Sequence, residues 1–256
     1  MEIWKKAFER KALITYLTAF DPDRGKSLEY FKACANGGAD ILEIGHPFSD
    51  PIADGPIISA AMTRALKNKV SVAQMLSLTE DVRKFFSGPL VYFTYFNPLF
   101  NFGLEDFLSR YRDLNGNSML IVDLPYEEAE RTDEVLAKYG ISRISLLAPT
   151  TDQERQKRIA DISSNFIYMI SYSGVTGSKE INSLEISKRI DYLRNLRPDL
   201  PICCGFGIKS PAEIEALRPY ADGFVVGSSL VKMCAEGASP DQLRDFVHSL
   251  KSASNE

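Results

Sequence analysis

Short runs of apolar and β-branched residues recur along the chain, separated by longer stretches whose apolar positions follow a helical period. The runs are LITYLT (13–18), DILEIG (40–45), LVYFTY (90–95), MLIVD (119–123), ISLLA (144–148), FIYMIS (166–171), PICCGFG (201–207) and GFVVGS (223–228), eight candidate strands. Nearly every position in them is apolar, so both faces should be buried, as in a parallel sheet flanked by helices. The intervening segments carry helix-start chemistry: Ser27 before LEYFKACAN, Thr151 to Glu154 before RQKRIADI, and Pro211 opening AEIEALRPY. Eight strand–helix repeats favour an α/β fold closed into a (β/α)8 TIM barrel, a parallel eight-stranded barrel. An open doubly wound sheet is the alternative, but the turn after the first strand reads TAFDPDRGKS and has no GxGxxG. Glu2 to Arg10 reads as a short amphipathic N-terminal helix that plugs the N-terminal end of the barrel, and Lys251 to Glu256 as a frayed tail.

A length of 256 residues with 45% hydrophobic composition suits one barrel domain spanning 1–256. The net charge of −4 is spread along the chain without a basic block, so nucleic acid is not an expected partner. Charges interrupt the first twenty residues, MEIWKKAFERKALITYLTAF, and no apolar run approaches the length of a membrane span. A cytoplasmic protein without membrane association is expected. Cys34, Cys203, Cys204 and Cys234 form no CxxC pair and read as reduced core thiols.

One strand position breaks the apolar rule. Ile41, Glu43 and Gly45 share one face of the second run, so the Glu43 carboxyl points into the barrel or beneath a helix. Burial without a cation raises a carboxyl pKa towards neutrality, which suits it to give and take protons. No Lys or Arg lies in the eight runs, which weakens the competing reading of Glu43 as half of a structural salt bridge. The loop that follows, GHPFSDPIADGP, is dense in Pro, Gly and Asp and must follow a defined path. CGFGIKSP and VVGSSL place glycines at the ends of the seventh and eighth runs, where barrels build phosphate sites from backbone N–H groups. SYSGVTGSKE (171–180) has the composition of a lid, and the connections from His46 to about Thr63 and from Tyr172 to about Ser183 are the longest.

EIGHPFSDPIADGP, TYFNPLFNFG, IVDLPYEEA, LLAPTTDQER, SYSGVTG, GFGIKSP and VVGSSLV together give the chain a resemblance, over nearly its full length, to the α subunit of tryptophan synthase. That resemblance implies retro-aldol cleavage of indole-3-glycerol phosphate to indole and glyceraldehyde 3-phosphate. It implies no metal and no organic cofactor in this chain, pyridoxal phosphate belonging to the partner. By the same carry-over Glu43 is the acid–base catalyst and Asp54 accepts the indole N–H. Tyr16, Phe93, Tyr95, Leu120, Val122, Leu147 and Tyr168 line the substrate slot, with Thr176 closing over Asp54. Gly177, Phe206, Gly207, Gly227 and Ser228 hold the phosphate. The resemblance further implies an α2β2 heterotetramer with a tryptophan synthase β subunit, which Asp50 and Pro51 would touch.

Two positions depart from the family pattern: Phe20 stands for a glycine after the first strand, and His46 for an aliphatic residue. Two further readings stay open at this point. One is an allosteric subunit that keeps the fold but not turnover; the other is a different phosphate-binding barrel such as a sugar-phosphate isomerase, against which the PFSDPIADGP loop speaks.

Overall fold

Nine parallel strands form one sheet in the computed structural model, which describes residues 2–170, 183–205 and 207–255. In chain order they are β1 (Ala12–Thr18), β2 (Ile41–Gly45), β3 (Leu90–Thr94), β4 (Ser118–Ile121), β5 (Ser142–Arg143), β6 (Ser145–Leu147), β7 (Ile167–Ile170), β8 (Ile202–Gly205) and β9 (Gly223–Val226). The hydrogen-bonded order is β5-β4-β3-β2-β1-β9-β8-β7-β6. Its two ends are consecutive in the chain, with Ile144 alone between them, so the sheet closes on itself. Ser118 pairs with Ser142 on one side of this join and Leu146 with Tyr168 on the other. The fifth of the eight expected strands is therefore split where it exchanges one neighbour for the other, and it begins earlier than the apolar run ISLLA indicates. Every residue of β1, β2, β3, β4, β8 and β9 is buried, as both-face covering by helices requires.

That earlier start brings Arg143 into a strand, against the expectation that the strands hold no cation. Its guanidinium binds Asp133 through two hydrogen bonds of 2.8 and 3.0 Å and is neutralised on the helix side of the barrel wall. At the N-terminal end the helix Glu2–Ala7 buries Trp4 and Ala7. The rings of Trp4 and Phe8 each lie 6.0 Å from that of Phe166, just ahead of β7, which is the plug the pattern predicts.

Carboxylates take two of the caps assigned above to hydroxyls. The helix Arg24–Asn36 starts at Asp23, whose side chain accepts from Lys26 N at 2.9 Å. Ser27 Oγ accepts instead from Phe20 N at 3.1 Å. In the helix Gln153–Ile162 it is Asp152, not Thr151, that accepts from Arg155 N at 2.8 Å. A charged acceptor at a helix N-terminus gains from the macrodipole as well as from the hydrogen bond. Pro211 opens its helix as expected. As far as Asn255 the tail is not frayed: Pro240–Asn255 is one helix, and Ala253 and Ser254 are buried. Lys251 Nζ reaches Asp40 Oδ2 at 2.6 Å, the same oxygen that accepts from Leu13 N at 2.7 Å, which fastens the end of this helix to the base of β1. Among the described residues no helix is long and apolar enough to cross a membrane.

Candidate active site

Strand alternation decides where Glu43 points. Tyr16, Glu43 and Val91 stand in register on adjacent strands and share one face, the inside of the barrel. The Glu43 carboxyl is 1% exposed, and its Oε1 has no hydrogen-bond partner among the described residues. Burial alone pushes its pKa up to about 8, so the group is a neutral acid at pH 7. Two glycines make room around it. A Cβ at Gly45 would lie 2.4 Å from the Tyr16 hydroxyl, and one at Gly205 would lie 2.3 Å from the Tyr168 ring. Both tyrosines can therefore lean across the mouth of the barrel.

Asp54 is brought to the same place by the loop after β2, which ends at Gly55 as the helix Pro56–Leu66 begins with proline in its first turn. Its Oδ2 accepts a hydrogen bond of 2.7 Å from the Tyr95 hydroxyl. Burial raises the Asp54 pKa to about 6, the Tyr95 bond opposing that rise. Glu43 and Asp54 thus ionise in different ranges within one cleft, the first a proton donor at neutral pH and the second an anion.

That cleft, about 400 Å³ with its open mouth, is lined by Tyr16, Glu43, Asp54, Ile58, Phe93 and Tyr168, and at its far end by Gly207, Ile208, Val225, Gly227 and Ser228. Tyr16 meets Phe93 edge to face with centroids 5.0 Å apart, forming an apolar wall. Gly227 caps the helix Ser228–Ala235 and has no side chain of its own to accept from the first N–H groups of that helix. Gly207 holds φ at 97°, the left-handed region, and Ser229 Oγ binds Ile208 O at 3.0 Å, joining the two strand-end turns. An anion is the ligand such a turn accepts.

Not every candidate lines the cleft. Leu120 is buried in register with Phe93, and Val122 follows it with its N–H on Thr94 O at 2.9 Å. Leu147 is buried in register with Met169, while Leu146 takes the register position opposite Tyr168. Tyr95 stands behind Asp54. Thr176, Gly177, Phe206 and the lid segment 171–180 lie outside the described residues. Ile58, Ile208 and Val225 line the cleft without having been singled out from the sequence. Alternation from Gly223 and Gly227 would have found Val225, and the helical spacing of Ile58, Ala61, Met62 and Ala65 would have found Ile58.

A family model described as tryptophan synthase alpha chain matches residues 4–255. The chain belongs to the tryptophan synthase α chain family. The tryptophan synthase alpha chain of Desulfatibacillum aliphaticivorans is 40% identical over 252 residues, covering 97% of this chain and 95% of that one. A solved chain from Aquifex aeolicus VF5 superposes with a TM-score of 0.91 at 37% identity, covering 100% of this chain and 98% of its own. A tryptophan synthase structure from Mycobacterium tuberculosis superposes with a TM-score of 0.90 at 30% identity, covering 100% and 97%.

Against this tryptophan synthase α background, both departures have local explanations. Phe20 holds φ at 63°, the left-handed conformation that a glycine adopts freely. Its strain is offset by burial of the ring, 3% exposed, and by the bonds its backbone makes to Ser27 Oγ and to Asn68 Nδ2, the latter at 3.0 Å. His46 alternates away from Glu43 and shares a hydrogen bond of 2.8 Å with the Tyr92 hydroxyl. Burial lowers its pKa to about 4, so it is neutral at working pH. His46→Val is therefore expected to leave the pH dependence of catalysis in place and to lower stability by about 1–3 kcal/mol, since the Tyr92 hydroxyl loses this partner. Kinetics across pH and thermal unfolding of the variant check the two halves of that expectation.

Proposed function

We propose that the cleft performs the retro-aldol cleavage of indole-3-glycerol phosphate, with Glu43 as the proton-transfer group and Asp54 as the anion facing the indole N–H. The observation that carries this reading is the pairing of a buried carboxyl, whose Oε1 has no hydrogen-bond partner among the described residues, with a second carboxylate in a cleft that also reaches the glycine-capped N-terminus of a helix. Glu43 gives its proton to indole C3, and the positive charge that spreads to the ring nitrogen is met by Asp54. The bond from C3 to the glycerol chain then breaks, and its electron pair remains with the indole. The hydroxyl on the released carbon loses its proton to Glu43 and becomes the aldehyde of glyceraldehyde 3-phosphate, which restores the acid. Gly207, Gly227 and Ser228 face the phosphate through backbone N–H groups, together with Gly177 and Phe206 on the family pattern.

These steps are two proton transfers between Glu43 and substrate and one carbon–carbon cleavage with no change of redox state overall, so we assign no metal or organic cofactor to this chain. A tryptophan synthase β subunit carrying pyridoxal phosphate is the proposed partner, in an α2β2 assembly in the cytoplasm. Ile52 and Phe100, 85% and 70% exposed, support such docking. Ile52 adjoins Pro51 in the segment after β2 and Phe100 lies in the helix Phe96–Phe102 after β3, and large apolar side chains are costly to leave in water.

A bell-shaped profile of kcat/KM follows from the two carboxyls. Asp54 must be ionised, so activity falls as pH drops through about 6. Glu43 must hold its proton, so activity falls again as pH rises through about 8. Indole release from indole-3-glycerol phosphate, measured across pH with the chain bound to a β subunit, tests the reading. No release at any pH, alongside stimulation of the β reaction, would instead establish an allosteric subunit without turnover.

A further inference from the structure

Tyr95 ties together three parts of the site that are distant in sequence. It stands just past β3, 1% exposed, with the ring of Phe48 stacked on it at a centroid distance of 4.8 Å and an interplanar angle of 27°. Its hydroxyl accepts a hydrogen bond of 3.1 Å from Ala53 N and donates one of 2.7 Å to Asp54 Oδ2. Because the Ala53 N–H occupies the oxygen from one side, the phenolic proton has a single direction to go, towards the carboxylate. Among the described residues no other donor reaches the Asp54 carboxyl.

We propose that Tyr95 is the positioning residue of Asp54, fixing the orientation of that carboxylate and setting the pH at which it becomes the anion the reaction needs. The proposal rests on the catalytic reading above and deepens it. Among the described residues the titratable groups that face Asp54 from neighbouring elements are Tyr16 on β1, Glu43 on β2 and Tyr168 on β7, and none of them is a cation. Burial raises the pKa of each of these groups, so all are neutral at pH 7 and none helps a second carboxyl to ionise. The Tyr95 hydroxyl is what favours the charged form, and it does so without contributing a charge that would compete for the indole N–H.

The test compares wild type with Tyr95→Phe, each bound to a tryptophan synthase β subunit, in indole release across pH. Removing the donor leaves Asp54 buried without its partner, so the acid limb of kcat/KM should move up by about one pH unit. The deficit of the variant should then be roughly tenfold below the limb and shrink as pH rises towards neutrality. A residue that merely packs would lower activity by the same factor at every pH, and that result, with the limb in place, overturns the proposal. Site-specific 3-fluorotyrosine at position 95 keeps the shape and strengthens the donor; the acid limb should move down, and an unmoved limb overturns the proposal even if Tyr95→Phe fails to fold. Absence of indole release in wild type would bring down the catalytic reading itself, whereas an active wild type with unmoved limbs in both variants would remove only the role given to Tyr95.

Discussion

Glu43→Gln is expected to lower indole release by roughly 10²-fold or more, the scale of a lost general acid–base group, without weakening the fold. The amide keeps the size of the side chain and its place on the inner face of β2 but has no proton to give to C3. A carboxyl kept for structure behaves in the opposite way, because its replacement costs stability and leaves the chemistry alone. The stability half of the expectation has a definite sign. The Glu43 pKa is raised from 4.5 to about 8 in the fold, so the folded state binds more protons than the unfolded chain between those values. Stability attributable to this group is fully present below 4.5 and is lost as pH rises through about 8. Glutamine carries no such penalty. Above pH 8 the variant should therefore be the more stable of the two, by an amount on the order of a few kcal/mol. Indole release at pH 7 and thermal unfolding at pH 7 and 9 measure the two halves. A variant that keeps near-wild-type turnover would move the catalyst elsewhere, and one that unfolds more readily at pH 9 would return Glu43 to a structural role.

The parts of this molecule legible in the sequence are those with a repeating physical cause. A strand covered by helices on one side and packed inside a barrel on the other must be apolar throughout, so the strand runs stand out. For the same reason Glu43, the one carboxylate in the interior of a run and not at its end, is conspicuous. Features settled by competition between close neighbours are harder to read. Asp23 and Asp152 take the helix caps from Ser27 and Thr151 because a charge outbids a hydroxyl a few residues away. The break at Ile144, which brings Arg143 into the barrel wall, is set by where the sheet closes on itself and leaves no mark in the pattern. Lys251 belongs to a buried helix end only because Asp40, far off in the chain, is there to receive it. Asp54 sits in an aperiodic loop, where no residue pattern marks it and only the family resemblance does. The Tyr95 bridge to Ala53 and Asp54 joins the end of one strand to the loop after another, and no local rule of sequence reports such a contact.

Asp54→Asn separates charge from geometry at the second carboxyl. Asparagine fills the same volume, and its Oδ1 can still accept the hydroxyl of Tyr95, so the loop after β2 should keep its path. What disappears is the negative charge that faces the indole nitrogen as C3 takes its proton. That charge matters little while the indole is neutral and most when the ring is cationic, so its removal weakens the transition state more than the bound substrate. The expected result is a fall of roughly 10²–10³-fold in kcat, the range seen when a group aimed at developing charge is removed, with KM changed far less. Because the acid limb near pH 6 belongs to Asp54, it should vanish from the residual activity, leaving a profile that only falls as pH rises through about 8. Steady-state kinetics across pH decide the matter: a variant with a raised KM and an intact kcat would make Asp54 a group that only holds substrate, and a retained acid limb would assign that ionisation to a different group.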